Sequence, residues 1–266
     1  MVENIKYSIV VPCYNTERTV LETLESIGEQ EYSNWEAIIV NDGSPDNLEP
    51  LVLSWIKKDN RFKYYKKENG GLASARNFGI EKSKGSYILP IDSDNKVRPQ
   101  FLLWADAVLK LNPDVDIIYG DAQRFGEDNS YWEVGQYDPY RLLNGNYIDA
   151  CAIVKKEVFC SLGYYDKNMP HQGLEDWELW LRCTQNELKF YYLPKITFDY
   201  RISSSSMIRT FDENMRKESR EYIYHKYAIL YGKSYNQLFR INSHLSQKVN
   251  KVLNNPLYKL FKKLKP

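Results

Sequence analysis

The sequence of 266 residues has few cysteines and no long apolar run. Its four cysteines match neither the spacing of a zinc site nor that of a redox pair, which argues against a disulfide scaffold and favours a reducing compartment. No stretch approaches the ~18 consecutive apolar residues that a membrane-spanning helix needs. Only a short apolar run precedes Pro12, unlike the pattern of a signal peptide. We therefore expect a cytoplasmic protein.

The sequence also lacks a strong net charge, because 36 basic residues nearly balance 35 acidic ones. This balance gives no reason to expect a nucleic-acid partner. The charges are unevenly distributed, however, since residues 222–266 contain nine Lys or Arg and no Asp or Glu. Such a basic tail predicts either peripheral contact with the inner face of a membrane or contact between copies of the chain. A solvated helix is the simpler alternative.

Two common nucleotide-binding motifs are missing as well. No G-x-G-x-x-G follows a predicted strand, which argues against a nicotinamide or flavin site. No G-x-x-x-x-G-K-[ST] is present, which argues against a P-loop enzyme. A bound phosphate would have to be held in another way.

What is present is a regular alternation of strands and helices in the first part of the chain. Short apolar runs predict four strands at residues 7–11, 37–40, 62–65 and 87–91. Amphipathic patterns predict the intervening helices, with Ser44 and Pro45 as the N-cap and first residue of the second one. This alternation predicts an α/β fold with a mostly parallel, Rossmann-like sheet flanked by helices.

The pattern changes in the second half. Strand-like pieces are predicted at residues 115–119, 147–154 and 190–200, and helices at 156–162 and 175–186. We expect one domain over residues 1–206, whose second half, of mixed sheet and loops, has the character of a domain that binds a second ligand. Residues 207–266 are expected to form a basic helical subdomain.

Asp92, Ser93 and Asp94 directly follow the fourth predicted strand. Ligands of open parallel sheets bind where the carboxyl ends of the strands lead into loops. Carboxylates at positions i and i+2 of an extended chain project to the same side, so both can face one Mg²⁺ or Mn²⁺. Such a cation would neutralise a diphosphate leaving group. A solvated turn is the alternative.

Other polar residues in the loops have two interpretations each. Asp42 is either a turn residue or an acceptor for the imide N–H of a uracil base. Tyr14 either packs or offers the base a flat face, and Arg76 is either a surface residue or a cation near a phosphate. Asp176 opens a predicted helix, where it is either a cap or a base that removes a proton from an acceptor hydroxyl.

Taken in order, V-P-C-Y-N, N-D-G-S, G-G-L-A-S-A-R-N, I-D-S-D and E-D-W-E-L-W-L-R resemble the motifs of family 2 of the glycosyltransferases. The resemblance covers about residues 5–207 and implies the GT-A fold, with a nucleotide-binding half at about 1–112 and an acceptor half at about 113–206. It also implies an inverting transfer of a sugar, such as glucose, galactose or their N-acetylated forms, from a UDP-sugar with Mg²⁺ or Mn²⁺. The acceptor would be a glycan, a lipid-linked molecule or a glycoprotein. A non-catalytic scaffold that binds nucleotide sugars is the alternative.

The resemblance also assigns roles to individual residues. It implies that the base and ribose are surrounded by Pro12, Tyr14, Asn15 and Asp42. Arg76 would lie near the nucleotide, and Asp92, Ser93 and Asp94 would form the metal and diphosphate motif. Asp176 would be the general base, with Glu175 beside it at the acceptor.

The resemblance has one departure, near residue 200. Many relatives carry a Tyr-Arg pair followed two residues later by His, whereas this chain has Ser203 at that position. Phosphate contacts from Arg201 and Ser206 are expected to remain, but a histidine ligand to the metal is missing there.

Overall fold

The structure, a computed structural model, describes residues 5–203 and 211–254. The elements of the first half are, in chain order, β1 (Tyr7–Cys13), α1 (Val20–Gly28), β2 (Trp35–Asp42), α2 (Leu48–Ile56), β3 (Phe62–Lys67), α3 (Leu72–Lys82), β4 (Tyr87–Pro90), β5 (Lys96–Val97) and α4 (Phe101–Leu111). Those of the second half are β6 (Ile117–Gly126), β7 (Tyr131–Trp132), α5 (Pro139–Asn144), β8 (Ile153–Lys155), α6 (Lys156–Leu162), α7 (Glu175–Gln185), β9 (Phe190–Ile202), α8 (Glu213–Lys226) and α9 (Ala228–Asn254).

The strands form one sheet in the order β3-β2-β1-β4-β8-β6-β9-β5, with β7 paired to β6. The first four strands in this order are parallel, as the alternation of strands and helices predicted. Strand β8 runs antiparallel to both of its neighbours, and β9 is parallel to β6. The α/β fold with a mostly parallel sheet and a helical C-terminal region is therefore confirmed.

The core lies on both faces of the parallel strands. Ile9, Val10 and Val11 of β1 are fully buried, which explains why this strand is continuously apolar rather than alternating. Helix α3 approaches the sheet closely, since a Cβ added at Gly79 would lie 2.4 Å from Cγ1 of Val10. Small residues on this helix, such as Ala75, allow the approach. The close packing fixes the N-terminal end of α3 relative to the strand ends.

Two local predictions were wrong. Helix α2 begins at Leu48 rather than at Pro45, because the hydroxyl of Ser44 hydrogen-bonds to the carboxylate of Asp46 and to the backbone N–H of Asn15 instead of capping a helix. Residues 147–154 do not form one strand, since only Ile153–Lys155 pair in the sheet.

The chain divides into two compact units, one ending at Tyr222 and the other beginning at Ile223. The predicted domain boundary at residue 206 lies outside the described residues and stays a prediction. In the second unit the main element is α9, a helix of 27 residues. Among the residues that the structure describes, every helix is too short or too polar to span a membrane.

Candidate active site

Three loops meet at the carboxyl edge of the parallel strands. The backbone N–H of Asn15, after β1, donates to the hydroxyl of Ser44, after β2, over 2.6 Å. The hydroxyl of Ser93, after β4, lies 3.1 Å from that of Thr16. These contacts bring the polar loops after β1, β2 and β4 together at one edge of the sheet. Pro12 is buried within β1, whereas the side chain of Tyr14 is half exposed beside the loops.

Asp42, the last residue of β2, binds the glycine turn that precedes α3. Its buried carboxylate accepts hydrogen bonds from the backbone N–H groups of Gly70 and Gly71 over 3.1 and 2.8 Å, and it pairs with the ammonium of Lys67. The carboxylate thus fixes the start of α3 at the site. Its contact with a uracil base stays a prediction.

Gly71 occupies a backbone conformation that only glycine adopts readily, with φ +84°. A Cβ at this position would lie 1.8 Å from Nε2 of Gln172, whose side-chain oxygen accepts from the N–H of Leu72. The loop that precedes α7 therefore packs directly against the glycine turn.

Gly71→Ala should lower the free energy of unfolding by about 1–3 kcal/mol, because alanine is strained at this φ and would displace Gln172. Urea denaturation measures the loss. Gly145→Ala is the matched control, since its backbone is extended and, apart from its chain neighbours, no atom of the described residues lies within 4 Å of the added Cβ. Equal stability of the two variants would contradict the steric argument.

Arg76, on α3, joins two of the predicted motifs. Its guanidinium is 2% exposed and donates to Asp92 through Nη2 over 2.6 Å and to Glu175 through Nη1 over 2.7 Å. The other carboxylate oxygen of Glu175 accepts from the backbone N–H of Gly173 over 2.6 Å. Glu175 is thus buried in an ion pair, an arrangement that positions neighbouring groups. The pair connects the Asp92 loop with the start of α7.

Asp92, Ser93 and Asp94 form a turn rather than the extended segment assumed from the sequence, since the N–H of Asn95 donates to the carbonyl of Asp92 over 3.0 Å. The two carboxylates nevertheless interact. Burial and the negative charge of Asp92 raise the pKa of Asp94 to about 6. Asp94 therefore has a strong electrostatic preference for a nearby cation or proton.

Arg201 stabilises the same turn from β9. Its Nε donates to the backbone carbonyl of Asp94 over 2.9 Å, and its backbone N–H donates to the Asn95 side chain over 2.8 Å. Its Nη2 pairs with Glu22 of α1 over 2.9 Å. Arg201 therefore holds the turn in place, and its phosphate contact stays a prediction. Ser206 lies outside the described residues.

Asp176 is the second residue of α7 and is partly exposed. Its carboxylate accepts 2.8 Å hydrogen bonds from the side-chain amide of Asn146 and from the backbone N–H of Trp177. Burial, followed by the charges of Glu175 and Asp149, raises its pKa well above that of an ordinary carboxyl group. A carboxylate with a raised pKa accepts a proton more readily, as a general base requires.

Sequence reasoning missed Asp149, which lies between α5 and β8. Burial and the charge of Asp92 raise its pKa to about 7, and Asp94 adds to the shift while Arg76 opposes it. Sequence reasoning also missed Tyr200. Its pKa is raised mainly by burial and further by the negative charges of Asp149 and Asp92. The candidate site therefore brings Asp149 and Asp176 within electrostatic reach of Arg76, which also pairs with Asp92 of the acidic turn and with Glu175.

The raised pKa of Asp149 predicts how stability depends on pH in metal-free buffer. Native Asp149 keeps its proton up to about pH 7, whereas the unfolded chain releases it near 3.9, so the free energy of unfolding falls as the pH rises between these values. Between pH 5 and 8, wild type should lose on the order of 2 kcal/mol more than Asp149→Asn, allowing for partial exposure. Urea denaturation at each pH measures this, and identical pH profiles would contradict it.

The acidic side chains suit a hard cation, which prefers carboxylate oxygens. Within residues 5–203 and 211–254, no group of three or more His, Cys, Asp or Glu is arranged to hold a metal ion. Asp92 and Asp94 would therefore supply two ligands, with water or substrate phosphate completing the shell, as is usual for Mg²⁺. The raised pKa of Asp94 fits such a site, because a cation would remove the repulsion between the two carboxylates.

Known proteins resemble this chain in sequence. An uncharacterized glycosyltransferase of Rickettsia bellii is 31% identical over 202 residues, which are 71% of this chain and 28% of that protein. Glycosyltransferase GlyG of Streptococcus pneumoniae is 38% identical over 136 residues, 49% of this chain and 44% of GlyG. The chain thus matches less than half the length of these relatives.

Solved structures resemble the fold. S. aureus TarS in complex with UDP matches with a TM-score of 0.63 and 21% identity, covering 75% of this chain and 61% of that one. The mannosyltransferase PcManGT of Pyrobaculum calidifontis, in complex with GDP-Man and Mn²⁺, matches with a TM-score of 0.59 and 15% identity. This match covers 97% of this chain and 83% of that one. These likenesses confirm the GT-A fold.

The family follows from the sequence match. A model of the family described as Glycosyl transferase family 2 matches residues 8–164. The matched segment includes Asp42, Arg76 and the turn of Asp92 to Asp94, and it ends before α7. Because the match covers more than half of its residues, the chain belongs to glycosyl transferase family 2.

Proposed function

We propose that the protein is an inverting glycosyltransferase that moves a sugar from a UDP-sugar to a hydroxyl group of a glycan, lipid-linked or glycoprotein acceptor. The observation that carries the proposal is the double ion pair of Arg76 with Asp92 and Glu175. One guanidinium thereby joins the diphosphate motif to the helix that carries Asp176. Family membership and the nucleotide-bound structures of TarS and PcManGT support a nucleotide-sugar donor.

Asp176 is proposed as the general base. In its ionised form it would take the proton of the acceptor hydroxyl while the acceptor oxygen attacks the anomeric carbon. The bond from that carbon to the donor diphosphate breaks on the opposite face, so an α-linked donor gives a β-linked product. The amide of Asn146, which donates to Asp176, would keep the carboxylate oriented during the transfer.

Asp92 and Asp94 are proposed to hold Mn²⁺ or Mg²⁺, which would neutralise the charge that develops on the diphosphate. Arg76 fixes the carboxylate of Asp92, and Arg201 fixes the backbone of Asp94. These two arginines therefore keep the acidic turn in place before a donor arrives. Pro12, Tyr14, Asn15 and Asp42 are proposed to surround the base and ribose.

Asp94→Asn should weaken Mn²⁺-dependent binding of UDP by at least ~10-fold, because the variant loses a charged ligand. Calorimetric titration with UDP measures the affinity. The control is wild type in EDTA, which should bind UDP about as weakly as the variant does in Mn²⁺. Unchanged UDP affinity in Asp94→Asn would remove this residue from the metal site.

A donor screen tests the function itself. Each UDP-sugar, together with GDP-mannose, is offered with Mn²⁺, and release of the nucleoside diphosphate and binding are both measured. Turnover of a UDP-sugar supports the proposal. Binding without turnover, across a panel of glycan and lipid-linked acceptors, would favour the non-catalytic scaffold instead.

A further inference from the structure

Helix α9 exposes an apolar stripe that has no use in the proposed transfer. The stripe consists of Tyr235, Leu238, Leu245 and Val249, which are 70%, 41%, 51% and 54% exposed. Phe239, Ile241 and Leu253 extend it on either side and are also exposed. Contiguous exposed apolar surface of this kind marks an interaction site more often than ordinary solvent-facing surface.

The spacing of the stripe indicates what covers it. Its positions, together with Asn242, fall at residues 235, 238, 242, 245 and 249, with alternating intervals of three and four. This is the 3.5-residue repeat that keeps a seam facing a partner helix. In that repeat, Tyr235, Asn242 and Val249 take the a positions, and Leu238 and Leu245 take the d positions. A single Asn at an a position is typical of two-stranded coiled coils, where it fixes the register.

The charges of α9 are compatible with a helix pair. The cations of Lys233, Arg240 and Lys251 lie on the face opposite the stripe, and α9 contains no acidic residue. In a helix pair they would point outward, where they do not repel across the seam. Lys248 alone is a cation at the edge of the stripe.

We propose that α9 pairs with α9 of a second copy of this chain as a parallel, two-stranded coiled coil. The apolar stripes would bury each other as knobs in holes. Asn242 of each copy would face its counterpart, so that two amides satisfy each other inside the seam. Parallel orientation follows from that pairing. The protein would therefore be a dimer through its C-terminal helix.

The test is sedimentation of the full chain, whose monomer mass is 31.4 kDa. Wild type should sediment as a dimer. Leu238→Glu with Leu245→Glu should weaken self-association by at least ~100-fold, because each copy would bury two unpaired carboxylates. The matched control, Asn236→Glu with Ser243→Glu, adds the same charge at the same spacing on an exposed face off the stripe and should leave the dimer intact.

Two results would overturn the proposal. One is a monomeric wild type that binds phosphatidylglycerol vesicles and loses this binding in the Leu238→Glu, Leu245→Glu variant, which would assign the stripe to a membrane. The other is a dimer that persists unchanged in that variant, which would place the interface elsewhere. Circular dichroism of both double variants shows whether the helix remains folded. None of these readouts depends on sugar transfer, so they stand apart from the proposed activity.

Discussion

Asp176→Asn is expected to lower the rate of sugar transfer by about 10²- to 10⁴-fold, the range in which general bases contribute. The amide cannot accept the proton of the acceptor hydroxyl, yet it has nearly the same size, and its oxygen can still accept the hydrogen bond from the N–H of Trp177. Binding of UDP should therefore stay within about two-fold of wild type. Release of UDP from the donor found by the screen measures the rate, and calorimetry measures the binding.

The control for this variant is Asp114→Asn, which makes the same change in an exposed carboxylate paired with Lys189 and should leave the rate unaltered. A rate for Asp176→Asn close to that of wild type would show that another group removes the proton. Asp149 is then the next candidate, because its pKa is raised to about 7.

The pH dependence of the rate gives an independent check on Asp176. The base acts in its ionised form, so activity should be lost as the pH falls through its raised pKa. Wild-type activity should therefore decline at a higher pH than the ordinary pKa of an Asp carboxyl group would give. The residual activity of Asp176→Asn should lack this decline. A wild-type rate that stays constant until the pH reaches the ordinary pKa of an Asp carboxyl group would contradict a raised pKa of Asp176.

Much of this arrangement could be predicted from the sequence because it depends on local patterns. The strand β1 contains a short β-branched run, and Asp92 and Asp94 come just after the apolar segment that forms β4. Parallel strands bring their carboxyl ends to one edge of the sheet, so the polar loops had to meet. Family motifs then added Asp176. These steps require no knowledge of how distant side chains pack.

What could not be predicted depends on contacts between distant segments. Asp149 lies in a stretch that has the apolar character of a strand, and only the fold brings it near Asp92, 57 residues earlier in the chain. Serine before proline is typical of a helix N-cap, but the hydroxyl of Ser44 instead accepts a hydrogen bond from the backbone N–H of Asn15 in a different loop. Arg76 and Glu175 are 99 residues apart in the chain, so no periodic pattern in the sequence indicates that they pair.

Arg76→Met is expected to lower the free energy of unfolding by about 3–5 kcal/mol, the usual cost of removing one partner of a buried ion pair. Methionine fills similar space but leaves Glu175, which is 2% exposed, with a buried carboxylate that has lost its cation and still accepts from the N–H of Gly173. The loss of the pair costs less at Asp92, because the side chain of Asp92 is 33% exposed and its carboxylate can be hydrated. Urea denaturation should show a lower midpoint with an unchanged slope. Lys66→Met, which breaks an exposed pair with Glu49, should leave the free energy of unfolding nearly unchanged.

The double variant Arg76→Met, Glu175→Gln shows how much of the lost stability comes from the unpaired charge of Glu175 and how much from the changed packing of the side chains. Glutamine removes the orphaned charge, so the double variant should lose less stability than the two single variants together, with a coupling of about 1–3 kcal/mol. Additive losses would show that the two side chains stabilise the fold independently. In that case Arg76 would not be the link between the Asp92 turn and α7, and the observation behind the proposed function would lose its force. Coupling of the expected size would instead make the ion pair the physical reason why the Asp92 turn and the proposed general base Asp176 share one site.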